Sequence, residues 1–237
     1  MSTVRIACLF GAIIVASVNI VFSQTADEII QKHVAAIGGE ANWKKIQSIK
    51  KVCTRNSRGN ELPVIITVLQ GKGYKYETTV SGMTSYSIIT DKEGWFYNPS
   101  RGQQKPDVMT EESVKQAQSV LDIQGPLIGY KEKGKKITYL GKDDVEGTEC
   151  FKLKVLYPTG REETYFIDAA DYSLVRIVAK TKANGREQTQ ATTYGSYEKL
   201  PEGITIPMSS DNGGGSVNVK SVVINGTIDE NTFKIQN

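Results

Sequence analysis

Thr148-Glu149-Cys150-Phe151-Lys152-Leu153-Lys154-Val155-Leu156-Tyr157, then Pro158-Thr159-Gly160, then Arg161 to Asp168, then Ala169-Ala170-Asp171, then Tyr172 to Lys180: this stretch decides the fold. Three β-rich runs are separated by two compact turn signals, the pattern of an antiparallel meander. Side chains alternate across a strand, so Phe151, Leu153, Val155 and Tyr157 share an apolar face while Glu149, Lys152 and Lys154 stay wet. In the third run the same count places Leu174, Arg176 and Val178 on one face and Val175, Ile177 and Ala179 on the other. An apolar sheet face must be covered, and what covers it decides the function.

Working outward, Ile137 to Leu140 and Asp143 to Gly147 lead into the meander, and Glu187 to Lys199, Ile204 to Met208 and Ser216 to Ile224 extend it. On the amino-terminal side Ile49 to Asn56, Pro63 to Gln70, Tyr74 to Val80, Tyr86 to Thr90 and Trp95 to Asn98 read as strands between good turn sequences. Pro99 to Met109 breaks the sheet. Helical patterns are few. Thr25 with Glu28 forms a capping box ahead of Ile29, Ile30, Val34 and Ile37, and Gly38-Gly39 closes that helix. A short turn from Glu40 to Ile46 carries Trp43. Thr110-Glu111-Glu112 starts a further helix with Val114, Ala117, Val120 and Leu121 as its stripe. About ten strands with no βαβ rhythm and no fixed repeat make a mainly β chain. The tail Ile228 to Ile235 returns Phe233 to the core.

Residues 1–23 read as a signal peptide: Arg5 precedes an apolar core from Ile6 to Phe22, with small or apolar residues before the cut. The run is short for a membrane span. Residues 24–237 then form one exported, soluble domain. With 39% hydrophobic and 23% charged residues among 237, composition suits an ordinary globular chain. A formal charge of +3 without a basic cluster points away from nucleic acid.

Much chemistry is absent. One histidine, His33, excludes any site needing two and reads as structural on the helix face. No nucleophile elbow, zinc-protease motif or phosphate loop occurs, and Gly213-Gly214-Gly215 lies between strands. The expectation is no metal, no cofactor and no enzyme activity. Cys53 and Cys150 lie mid-strand and read as unpaired buried thiols, with a bridge as the alternative.

Certain landmarks carry a resemblance: Gly94-Trp95-Phe96-Tyr97-Asn98-Pro99; Met109-Thr110-Glu111-Glu112; Gly125-Pro126-Leu127 followed by Tyr130-Lys131-Glu132-Lys133-Gly134; Asp144-Val145-Glu146-Gly147-Thr148-Glu149-Cys150-Phe151-Lys152-Leu153; and Ile228-Asp229-Glu230-Asn231-Thr232-Phe233-Lys234. Together they resemble the outer-membrane lipoprotein-sorting, LolA-like family of exported bacterial proteins. That resemblance implies an unclosed antiparallel β-barrel, a curved sheet wrapped around a few short helices, with an apolar cavity. It also implies a periplasmic carrier whose partners are a lipid or lipoprotein acyl chain and membrane-bound donor and acceptor proteins. Its carriers use an arginine inside the barrel to hold a lid closed. Arg55 and Arg176 lie on strands here, and no motif singles out either.

A chain with this many strands has more apolar sheet face than its helices easily cover. Candidate lining residues are Tyr74, Tyr76, Trp95, Tyr97, Leu127, Ile128, Phe151, Leu153 and Val155. Each is either plain core or cavity wall. Leu127 and Ile128, in a loop between Gly125 and Gly129, are either tucked under the helix or the rim of the cavity. In the rim reading, a charge at either weakens binding and largely spares the fold. The competing function is a non-catalytic interaction or scaffold domain with a filled core.

Overall fold

A computed structural model describes residues 25–57, 59–183 and 186–235, so the signal peptide lies outside the described residues. Helix α1 spans Ala26–Ala36, with Thr25 and Glu28 forming the reciprocal cap: the Glu28 amide donates to Thr25 Oγ1 at 3.2 Å and the Thr25 amide to Glu28 Oε2 at 3.0 Å. It buries Ile29, Ile30 and His33. Helix α2 is the single turn Glu40–Trp43, and α3 is Glu111–Ala117, continued by a 3-10 turn Gln118–Leu121.

The strands are β1 Ser48–Ser57, β2 Asn60–Leu69, β3 Gly73–Val80, β4 Met83–Thr90, β5 Gly94–Tyr97, β6 Asp107–Val108 and β7 Lys136–Val145. They continue with β8 Thr148–Leu156, β9 Glu162–Asp168, β10 Leu174–Ala183, β11 Arg186–Lys199, β12 Thr205–Asp211 and β13 Ser216–Ile224. The thirteen strands among the described residues exceed the ten or so expected, and β6 falls within the stretch read as sheet-breaking. All thirteen form one antiparallel sheet ordered β6-β5-β4-β3-β2-β1-β13-β12-β11-β10-β9-β8-β7. The barrel is unclosed: β6 and β7 are its two edges. They are also consecutive in the chain, so the connection 109–135, carrying α3, runs from one edge to the other. β6 is only two residues long and β7 carries Lys136, Lys142, Asp143 and Asp144, features that discourage pairing with another chain.

The inner face is the one covered by the helices. Ile29, Ile30, Leu127, Phe151, Leu153, Val155, Tyr157, Tyr165 and Ile167 form one buried cluster there. Trp43, Ile46, Ile49, Ile128, Ile204 and Ile206 form a second, and Val34 of α1 packs against both. Part of the outer face is covered too: Phe233 lies over Gly73, where a Cβ would come 2.4 Å from the ring, so only glycine fits.

The third run of the meander departs from simple alternation. A register shift between Leu174 and Arg176 inserts a bulge, so Leu174 and Ile177 both pack on the inner cluster. Val175 and Val178 instead join Val145, Cys150 and Phe166 on the outer face. Among the described residues no helix is long and apolar enough to cross a membrane.

Candidate functional site

Seven of the nine candidate lining residues share the inner side. Phe151, Leu153 and Val155 face α1, and Leu127 joins them; Ile128 lies in the neighbouring cluster under Trp43. Tyr74 pairs with Val68 and Ile89, and Tyr76 with Ile66 and Ser87; through β2 this places both tyrosines on the same face as Ile49. Trp95 and Tyr97 fall on the opposite face. Gly94 takes the inner position opposite Ile89, so Trp95 pairs with Ile88 and Tyr97 with Tyr86 on the outer side. The Tyr86 and Tyr97 rings meet there at 5.4 Å. Gly94 leaves little room inside: a Cβ would come 2.9 Å from Met109 Sδ, and 3.2 Å from Ile89 and Val114, so these side chains would have to shift. Leu127 and Ile128 are 4% and 1% exposed. A charge at either would be buried, so the expectation that such variants spare the fold does not hold.

The connection 109–135 is fastened at both sides. Toward β2–β5, the Gly71 amide donates to Leu121 O at 2.9 Å, the Ile123 amide to Gln70 Oε1 at 2.7 Å, and Gln118 Nε2 to Thr90 O at 3.1 Å. Toward β8–β9 the fastening is Arg161. Its Nη1 donates to Gln116 O at 2.7 Å and to Ser119 Oγ at 3.4 Å. Gln116 is in the last turn of α3, where carbonyls lack intrahelical donors, so a guanidinium is a natural cap.

Behind the clasp lies a polar cluster within the apolar wall. Arg161 Nη2 holds Glu163 Oε1 at 2.5 Å. Tyr157 and Tyr165 donate their hydroxyls to Glu163 Oε2 at 2.6 and 2.9 Å. Burial, and then the charge of Glu163, push the Tyr157 phenol up; burial and then Tyr157 do the same to Tyr165, so both remain neutral donors. A buried carboxylate with three donors is satisfied, but removing one partner would leave its charge exposed to an apolar wall.

A pocket of about 360 Å³ opens beside the clasp, lined among others by Leu121, Lys115, Lys135, Tyr157 and Arg161. Asp122 in its wall accepts from Lys133 Nζ at 2.8 Å and Lys135 Nζ at 3.3 Å. Deeper in, Lys51 shares the inner side of β1 with Ile49 and Cys53 and has no ion pair among the described residues. Burial pulls its ammonium pKa down. His33 is buried with Nδ1 at 2.8 Å from Tyr172 O, and burial lowers its pKa, in keeping with a structural role. Among the described residues no cluster of histidine, cysteine and carboxylates could hold a metal.

Of the two arginines considered from sequence, Arg176 is on the outer face, paired with Glu146 and Thr193 Oγ1, and Arg55 binds Gly214 O at 2.9 Å. Arg161 was missed. The available signal was the hairpin itself: Tyr157 pairs across the turn with Arg161, placing Glu163 and Tyr165 on the face of Val155 and Leu153. An acid at an inward position of an apolar strand needs a partner.

No family model matches the chain, and no curated protein matches it in sequence. Solved structures do. A domain described as an outer membrane lipoprotein-sorting protein from Vibrio parahaemolyticus is similar with a TM-score of 0.56 and 14% identity, over 88% of this chain and 95% of that one. A LolA superfamily protein from Nitrosomonas europaea is similar with a TM-score of 0.55 and 9% identity, over 88% and 97%. At such identities the likeness is one of fold, and the fold is LolA-like.

Proposed function

We propose that this LolA-like chain is an exported carrier that holds a lipid or lipoprotein acyl chain against the inner face of its sheet. The observation that carries the reading is the Arg161 clasp: a helical connection laid across an apolar face and fastened by hydrogen bonds instead of a continuous ladder. In this reading Tyr74, Tyr76, Phe151, Leu153 and Val155 form the wall, and the segment 109–135, which brings Leu127 and Ile128 against that wall, is the lid. The wall is packed when the lid is shut, so the ligand takes the place of helix contacts as the lid swings out. Binding then selects an open state, and affinity is reduced by that state's scarcity. No catalytic role is assigned, and residues 1–23 are the export signal.

The test is calorimetric titration of the mature chain with fatty acids and a triacylated lipopeptide of increasing chain length. Each buried methylene contributes about 0.8 kcal/mol, so affinity climbs with length and then levels off. Amino-terminal sequencing of the native protein should begin near Gln24 or Thr25. One observation favours a scaffold with a filled core: Phe151, Leu153 and Val155 are all nearly inaccessible. Absence of any acyl ligand would select that reading.

A further inference from the structure

We infer that the pocket beside Arg161 receives an anionic oxygen group, carboxylate or phosphate, borne by an acyl-chain amphiphile. The inference rests on the carrier reading and narrows it to anionic lipids over uncharged ones.

Charge and space carry it together. Four cationic side chains line the pocket: Lys115, Lys133, Lys135 and Arg161. Two carboxylates answer them. Asp122 is shared between Lys133 and Lys135, and Glu163 is engaged by Arg161 and two phenols. Lys115 has no ion pair among the described residues, and the side chain of Lys135 is only 8% exposed. The Arg161 Nε is buried and has no hydrogen-bond partner among the described residues. A partly enclosed site with unanswered positive charge and an unused buried donor is completed by an oxyanion, whose charge-assisted bonds are strong. A neutral ester or alcohol answers the donor but not the charge.

The size and floor of the pocket fix the rest of the ligand. About 360 Å³ is near the lower end of ligand pockets, roughly 300–1,000 Å³, enough for a head group and the first carbons. The wall includes the Tyr157 ring, which belongs to the same buried cluster as Val155 and Leu153. A chain attached to the head group thus lies beside the inner face and enters it as the lid moves away.

The experiment titrates the mature chain with hexadecanoate, a lysophosphatidic acid of equal chain length, hexadecanol and inorganic phosphate. Both anionic amphiphiles should bind about tenfold more tightly than hexadecanol, as loss of one charge-assisted bond implies. Lys135→Gln and Lys115→Gln should each remove most of that preference, weakening the anionic amphiphiles far more than hexadecanol. Lys115 is exposed, so its variant reports even where Lys135→Gln unfolds. Equal affinity for hexadecanoate and hexadecanol overturns the head-group site and leaves the carrier reading standing. Binding of neither overturns both. Phosphate binding without amphiphile binding makes the pocket a site for free anions and overturns the inference. So does a preference abolished by Lys51→Met but untouched by the two pocket variants, since that places the charge on the inner face.

Discussion

Arg161 reaches the main-chain oxygen of Gln116 at 2.7 Å, joining the turn between β8 and β9 to the end of α3. The same guanidinium neutralises Glu163 within the wall. A single side chain therefore couples the position of the connection 109–135 to a buried charge.

Arg161→Met should break both links. Leaving Glu163 buried and unpaired costs about 3 kcal/mol, read as a lowered unfolding midpoint in urea. Amides of residues 111–121 should exchange faster, because the helix loses its fastening. Adding Glu163→Gln should recover part of the stability but not the slow exchange. Unchanged exchange in Arg161→Met would show that Arg161 does not fasten α3.

His33 should make the protein acid-sensitive. Burial keeps its imidazole neutral below the ordinary value of about 6.5, so the unfolded chain binds a proton that the folded chain refuses. Stability is therefore full above about pH 6.5 and falls as pH drops below it, by at most roughly 1.4 kcal/mol per pH unit. Melting curves at pH 7.5 and 5 should differ, and His33→Gln should shrink the difference. An identical gap in the variant would assign the acid sensitivity elsewhere.

Leu127→Ala and Ile128→Ala should each destabilise by about 2–5 kcal/mol, because both side chains are buried between helix and sheet. Thermal melts check this. Stability loss alone does not separate wall from filler at these positions, so acyl titration of the milder variant, Ile128→Val, has to be measured alongside.

Cys53 and Cys150 should both react with alkylating agent after denaturation without reductant. They are free and buried, on strands six places apart in the sheet order. Cys53 is on the inner face opposite Val64, whereas Cys150 packs outside with Phe166. In the native protein both should label slowly. Burial raises both thiols, Cys150 to about 11. Protection that only reductant reverses would contradict the assignment.

The unclosed barrel was only what the resemblance implied, whereas the mainly β class and most strand positions were legible because Phe151, Leu153 and Val155 alternate locally and turns are marked by glycine. What required pairing partners was not. The bulge at Leu174 is invisible without β9 beside it, since an inserted residue shifts phase without altering composition. Trp95 and Tyr97 changed sides because the turn after Thr90 returns with Gly94, not Trp95, at the inner position. Arg161 read only as the first residue of a β run because its role depends on α3 passing overhead, a contact 45 positions away in sequence.

The strand order also carries a history. Strands β1 to β6 pair only with chain neighbours, as do β7 to β13; the two meanders meet at a single ladder, β1 against β13, with Ile49 opposite Ile224. Local hairpins close quickly, whereas joining the first and last strands must await nearly the whole chain. Each half can therefore form its own hairpins first, with an apolar face and a bare strand edge exposed until β1 meets β13. The edges of the sheet are therefore most open to aggregation before that ladder forms, not in the finished molecule.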